Sequence, residues 1–278
     1  MNELEPGRLV RIGAAVQRLV APNASMMTGP GTNSYLIGDP PRAALDPGPD
    51  DASHIEALRR AAPTLEFVFV THTHRDHSTG ARPLAAATGA RIVGLPAPHD
   101  GRQDESCTPD VQPAHDEMYE MGGGSTLRAI HTPGHASNHV CFLLEHDGVL
   151  FSGDHVLDGV TPVILAPDGD MAAYIESLRR LRGYPMRAIA PGHGRVLGNP
   201  VAVIDGVIAH RQKREAKVVA ALTALGKASL DALLERVYDD VKAELHGFAR
   251  LSLEAHLIKL REEGRCRRDG DSWIACGE

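Results

Sequence analysis

Four side chains able to bind metal, His72, His74, Asp76 and His77, crowd into the short stretch Thr71-His72-Thr73-His74-Arg75-Asp76-His77. Imidazole nitrogens joined by a carboxylate make the donor set expected of zinc, with manganese or iron as less favoured occupants. The stretch follows the apolar run Phe67-Val68-Phe69-Val70, which reads as a buried strand. In an extended chain alternate side chains share a face, so His72 and His74 point the same way. Asp76 and His77 fall on the turn that follows and can reach a neighbouring point, a geometry that suits two ions better than one. The competing reading is a histidine-rich surface loop, but this many ligands at a strand end rarely serve packing.

Other strand ends carry more ligands. His135 stands in Thr132-Pro133-Gly134-His135, after Leu127, Ala129 and Ile130; Asp154 in Ser152-Gly153-Asp154, after Val149-Leu150-Phe151; and His193 in Pro191-Gly192-His193-Gly194, after Ala188-Ile189-Ala190. Each lies beside a glycine, where the backbone can turn sharply and approach an ion.

The order His-x-His-x-Asp-His, Pro-Gly-His, Gly-Asp, Pro-Gly-His-Gly resembles the metallo-beta-lactamase fold superfamily of dinuclear metal hydrolases. The resemblance implies one ion held by His72, His74 and His135, a second held by Asp76, His77 and His193, and Asp154 bridging the two. It also implies that Asp46, in Leu45-Asp46-Pro47-Gly48, supports the site from behind the ligands. Water held between two divalent ions is hydroxide near neutral pH, and the ions stabilise the developing negative charge, so solvent is the expected nucleophile. Asp76 and Asp154 would orient it. His139, at the start of the apolar run Val140 to Leu144, is a candidate acid for the leaving group, and a supporting hydrogen-bond role suits it equally. In the superfamily the Pro- and Gly-rich loop from Ala21 to Gly31 arches over the metals, which makes Asn33 a candidate for substrate contact.

The elements that must position these residues can be read in outline. Strands are expected over 9–19, 32–38, 42–46 and 91–94 as well as before each ligand group. Helices are expected over 51–62, 81–88 and 174–181, with Gly89 ending the second. Residues 95–121 lack periodicity and read as a surface excursion with His99 and His115 solvated. The pattern suggests an α/β fold, two face-to-face sheets with helices outside, an αββα sandwich over residues 1–199. From 200 to 278 a linking helix to about Leu225, capped by Asn199 with Pro200 at its first position, leads to a helix opened by Ser229. Another helix follows from Leu251 to Glu262, then a hairpin turning at Asp269-Gly270. Helices followed by a hairpin look like a winged helix, with 253–262 as recognition helix.

The chain has 278 residues, 42% hydrophobic and 23% charged, with a formal net charge of −7, as in ordinary globular proteins. The first six residues lack the features of a signal peptide and no apolar run reaches membrane-spanning length, so the expectation is a cytoplasmic protein with no membrane partner. The four cysteines form no disulfide-like or ligand-like pattern.

The segments Thr28 to Tyr35 and His210 to Glu215, together with the winged-helix tail, are similar to the beta-lactamase-like protein 2 branch of the superfamily. That resemblance implies single-stranded RNA as a substrate. Charge opposes it: residues 1–199 hold 16 Lys and Arg against 23 Asp and Glu, and residues 200–278 hold 13 of each, whereas phosphate binding needs a basic footprint. Lys259, Arg261, Arg265, Arg267 and Arg268 gather near the wing, but a mixed-charge surface on a dimerisation domain, and so a homodimer, explains them as well. Metal-dependent hydrolysis is therefore the expected activity, on RNA or on a small thioester or ester as in the glyoxalase II branch. A beta-lactam substrate is disfavoured for a cytoplasmic enzyme. A non-enzymatic nucleic-acid-binding or regulatory module is the remaining alternative, and the intact ligand set argues against it.

Overall fold

The structure, a computed structural model, describes residues 4–276. Two six-stranded sheets form the body. The first contains β1 (Leu9–Arg11), β2 (Val16–Val20), β3 (Asn33–Gly38), β4 (Pro41–Leu45), β5 (Phe67–Phe69) and β6 (Arg91–Val93), paired in that order. The second contains β7 (Met118–Gly122), β8 (Ser125–His131), β9 (Val140–Leu144), β10 (Val149–Gly153), β11 (Ala188–Pro191) and β12 (Leu197–Gly198), in the spatial order β12-β11-β10-β9-β8-β7.

The strands are apolar on both faces because both faces are covered. A two-residue period sends Tyr35 and Ile37 of β3 into the layer between the sheets and Leu36 outward. Strand β5 repeats this, with Phe67 and Phe69 inside and Val68 outside. Between the sheets Phe69 meets Phe142 and Tyr119 with ring centroids 5.0 and 5.1 Å apart.

Outside the first sheet, α1 (Ala52–Ala61) and α3 (Ala81–Thr88), separated by the single turn α2 (Arg75–Ser78), lay Ile55, Leu58 and Leu84 against Leu36, Val68 and Ile92. Outside the second, α4 (Met171–Leu181) and α5 (Pro200–Leu225) lay Leu178 and Ile204 against Leu143, Leu150 and Ile189. The architecture is the expected αββα sandwich.

A smaller unit follows. It consists of β13 (Lys227–Ser229), α6 (Leu230–Val237), α7 (His246–Glu262), β14 (Cys266–Asp269) and β15 (Ser272–Ala275), with the sheet order β13-β15-β14. Its core gathers Leu233, Val237, Leu253, Leu257, Leu260 and Trp273 around Val218 and Leu222 of α5. This is a winged helix. Helix α5 belongs to both units, since Ile204 and Ile208 pack in the sandwich while Val218 and Leu222 pack in the winged-helix core.

Several local expectations are corrected. The single opening strand is a hairpin, β1 pairing antiparallel with β2. The segment 95–121 is no mere surface excursion: it runs into β7 and buries Gln103, Asp104 and Cys107. Asn199 does not cap α5 with its side chain; it sits in the left-handed region at φ 51°, where a short polar side chain is tolerated. Helix α7 begins at His246, and Asp269 pairs with Ser272, so the wing turns on Gly270-Asp271 instead of Asp269-Gly270.

Candidate metal centre

Strands of both sheets end at one edge of the sandwich and deliver the ligands there. Asp46 follows β4, His72 and His74 follow β5, His135 follows β8, Asp154 follows β10 and His193 follows β11. The turn α2 brings round Asp76 and His77. Side-chain atoms of His72, His74 and His135 lie within 4.8 Å of one another, as do those of Asp76, His77 and His193, and those of His72, His77 and Asp154.

The contacts define two adjoining points. Nδ1 of His74 stands 2.9 Å from Nε2 of His72 and 3.0 Å from Nε2 of His135. On the other side Nε2 of His193 is 3.3 Å from Nε2 of His77 and 3.3 Å from Asp76. Asp154 spans both: Oδ2 faces His135 at 3.7 Å, while Oδ1 faces His77 at 3.3 Å and His193 at 3.4 Å. Donors each about 2.0–2.2 Å from a shared tetrahedral ion lie at such mutual distances.

The outer nitrogens fix the tautomers. Thr71 Oγ1 donates to Asp46 Oδ2 at 2.8 Å, so it accepts from Nδ1 of His72 at 3.0 Å. His77 Nδ1 donates to Asp46 Oδ2 at 3.0 Å, and His135 Nδ1 donates to the Val163 carbonyl at 2.8 Å. In the neutral form each of these rings therefore turns a bare Nε2 inward, the arrangement in which an outer acceptor orients a metal-binding imidazole. Asp154 Oδ1 is buried without a hydrogen-bond donor. Bare nitrogens converging on an orphaned carboxylate oxygen fit a pair of divalent ions.

Electrostatics divide the centre. Desolvation and the neighbouring imidazoles hold His72 well below its ordinary value, and desolvation with His135 brings His74 down to about 3. These rings are neutral and their lone pairs free. Burial opposes charge on His193, yet Asp154 and Asp76 lift it to about 9; burial opposes charge on His77 too, yet Asp76, Asp154 and Asp46 hold it well above its ordinary value. Burial would raise Asp76, but His77 and His193 bring it down to about 2. Positive charge is thus favoured beside the carboxylates, and an ion taking that place displaces protons.

Asp46 supports the ligands from behind, accepting from Thr71 N at 2.8 Å besides its contacts with Thr71 Oγ1 and His77. Two sequence expectations change. His139 is fully buried behind His72, its ring stacked at 5.0 Å and its Nδ1 paired with Thr132 Oγ1, so it does not reach a leaving group. Asn33 is also fully buried, and its amide donates at 2.9 Å to the carbonyls of Pro191 and Gly194. It clamps the loop carrying His193 and does not face substrate. His99 is exposed, as expected, whereas His115 Nδ1 accepts from His131 N.

No sequence pattern marks the network behind His74. Asn138 donates to Thr73 Oγ1, which donates to Gln103 Oε1, both at 2.6 Å, and Ser78 donates to Asp104 at 2.8 Å. Gln103 and Asp104 come from an aperiodic stretch, and only their burial in the fold marks them.

A cavity of about 390 Å³ opens on the ligands. His74, Asp76, His135, Asp154 and His193 form its polar floor, and Met27, Val163, Leu165, Phe248 and Leu251 supply apolar walls. A cleft of about 860 Å³ adjoins it at Arg75 and Asp76 and carries Asp50, Asp104 and Glu105. Among the described residues, no helix is long and apolar enough to cross a membrane.

Residues 27–193 match the metallo-beta-lactamase superfamily model, and residues 229–273 match the beta-lactamase associated winged helix domain. The chain is 30% identical over 282 residues to the Beta-lactamase-like protein 2 homolog of Drosophila melanogaster, covering 93% of this chain and 92% of that protein. It is 32% identical over 224 residues to the Atrochrysone carboxyl ACP thioesterase of Emericella nidulans, covering 79% of this chain and 68% of that protein. A beta-lactamase domain protein from Burkholderia ambifaria shares the fold, with a TM-score of 0.81 at 20% identity over 97% of this chain and 94% of that one. The chain belongs to the metallo-beta-lactamase superfamily of metal-dependent hydrolases and carries the winged helix domain associated with it.

Proposed function

We propose that the chain hydrolyses thioesters of apolar acyl groups, with zinc as its metal. The observation that carries this reading is the lining of the cavity: apolar walls over a ligand floor, with no histidine outside the ligand set to protonate a poor leaving group. Every histidine lining it belongs to the ligand set, and its other basic side chains are Arg75 and Arg102, which do not give up a proton. A thiol has an ordinary pKa of about 8.5 and departs as thiolate without help; an alkoxide departing from RNA or an alkyl ester is far more basic.

Bound here, two divalent ions would activate water and neutralise charge developing on the attacked group. The chain's own residues bind and orient. Asp76, the most exposed carboxylate of the set at 31% against 13% for Asp154, reaches the cavity and can accept a hydrogen bond from water at the carboxylate oxygen it turns away from His193. The apolar walls hold the acyl group and exclude bulk water.

Single-stranded RNA fits less well. Acidic Asp50, Asp104 and Glu105 line the adjoining cleft. Near the wing, Lys259 and Arg265 are bound to Glu215 and Glu263, and Arg268 lies over the Trp273 ring. The similarity to a protein named as a thioesterase supports the same choice.

The test is zinc-loaded protein assayed against acyl thioesters, the matched oxygen esters and a fluorescent single-stranded RNA, with Asp76→Ala as control. Thioester turnover well above ester turnover, lost in the control, is expected. RNA cleavage lost in the control, with thioesters untouched, overturns the reading, and metal analysis of the active protein checks zinc.

A further inference from the structure

Helix α7 occupies the place of a recognition helix in a winged helix, yet two of its sides are packed against the rest of the chain, and Gly247, Arg250, Arg261 and Glu262 remain exposed. One side of it, through Leu253, Leu257 and Leu260, fills the core of its own domain. On the other side Ala255 packs into the core formed by α4 and the second sheet. Ser252 Oγ receives Arg211 Nη1 at 3.2 Å, and Lys259 pairs with Glu215 at 2.8 Å, both partners lying on α5. Its first turns place Phe248 and Leu251, three residues apart and so on one helical face, in the wall of the cavity above His74, His135 and His193.

We infer that α7 is a specificity element: Phe248 and Leu251 bind the apolar body of the acyl group, so that the winged-helix domain selects the substrate of the catalytic domain instead of reading nucleic acid. The inference rests on the thioester reading for the identity of the bond cleaved but not for the location of the wall. Three observations converge on it. The two side chains are half-buried and border the ligand floor. Val163 and Leu165 line the same cavity, as does Met27 from the amino-terminal loop. The inward face of α7 is pinned by α5, so it is unavailable to a nucleic-acid groove. A cavity of about 390 Å³ lies near the small end of ligand sites, about 300–1,000 Å³, which suits a medium-chain or aryl acyl group.

The experiment compares kcat/KM for decanoyl, benzoyl and acetyl thioesters on the full zinc-loaded chain and its Phe248→Ala and Leu251→Ala variants, with metal content and melting recorded. The decanoyl-to-acetyl ratio is expected to fall at least about tenfold in either variant, the scale on which an apolar pocket senses lost methylene contacts. Leu251→Trp, which fills the wall, is expected to shift preference toward acetyl and provides a second route if an alanine variant folds poorly. Calorimetric binding of decanoate, benzoate and acetate to the same proteins separates the two claims. Chain-length-dependent carboxylate binding that needs Phe248 and Leu251, without thioester turnover, supports the wall and removes the thioester reading. Ratios and carboxylate affinities unchanged in all three variants overturn the wall.

Discussion

His135 donates from Nδ1 to the carbonyl of Val163 at 2.8 Å, and the preceding carbonyl, that of Pro162, is held by the Arg211 guanidinium. Arg211 is 3% exposed and also lies over the Tyr174 ring at 5.3 Å. An arginine on the linking helix thus steadies the peptide that orients a ligand in the catalytic layer.

Replacing Arg211 should therefore loosen one half of the centre. Arg211→Ala is expected to weaken binding of one ion about 10–100-fold, the usual cost of losing a partner behind a ligand. Arg211→Lys should restore only part, because an ammonium lacks the planar fork. Metal titration followed by mass spectrometry checks both; stoichiometric binding of two ions by Arg211→Ala at wild-type affinity would contradict it.

Asp46 acts on both halves at once. It orients His77 directly and His72 through Thr71 Oγ1. Asp46→Asn puts an amide donor where three donors already converge, so both ions should bind more weakly, by about 10–100-fold. Equal loss of the two ions in a titration distinguishes this variant from Arg211→Ala.

Gly192 leaves room for the ligands. A Cβ there would meet His77 Cε1 at 2.6 Å and Asp154 Oδ1 at 2.7 Å. Gly192→Ala should displace both side chains, with activity falling by about a hundredfold while the far-ultraviolet circular dichroism stays that of the folded chain. Wild-type kcat in this variant would show that the site tolerates a shift the geometry forbids.

Acid should loosen the winged helix through Glu215. Burial would raise its carboxyl, but the His256 ring at 3.7 Å and the Lys259 ammonium at 2.8 Å hold it at about 2, below the ordinary 4.5. A carboxylate depressed in the folded state contributes stability that is complete above the unfolded value and lost as pH falls through the folded one. Melting should therefore weaken from about pH 4.5 toward pH 2. Glu215→Gln should cost about 2 kcal/mol at neutral pH and flatten that slope; a Tm profile identical to wild type would exclude Glu215 as its source.

The ligand centre was legible because its residues are contiguous or stand beside glycines at strand ends, so local spacing carries the message. Strand and helix positions followed from apolar period for the same reason, as with Phe67, Val68 and Phe69. The misreadings occurred where long-range packing decides. Asn33 and His139 have the chemistry of substrate contacts, and only the paired sheets show that one clamps the His193 loop and the other lies behind His72. Gln103 and Asp104 sit in a stretch with no period, so their burial beneath the His74 turn had no local signature. The inward turn of α7 depends on contacts with α4 and α5, which no pattern within 246–262 encodes.

Helix α5 has a consequence for how the molecule comes apart. Because Ile204 and Ile208 fill the catalytic layer and Val218 and Leu222 fill the winged-helix core, one rigid rod is shared property of two folding units. Trimming the chain at Pro200 to obtain a minimal hydrolase would uncover Ile189 and Leu150 to water, and trimming it after the rod would leave Val218 and Leu222 bare. The two units should melt as one cooperative transition, and duplication or exchange of the winged helix in a descendant chain would have to carry the rod along with it.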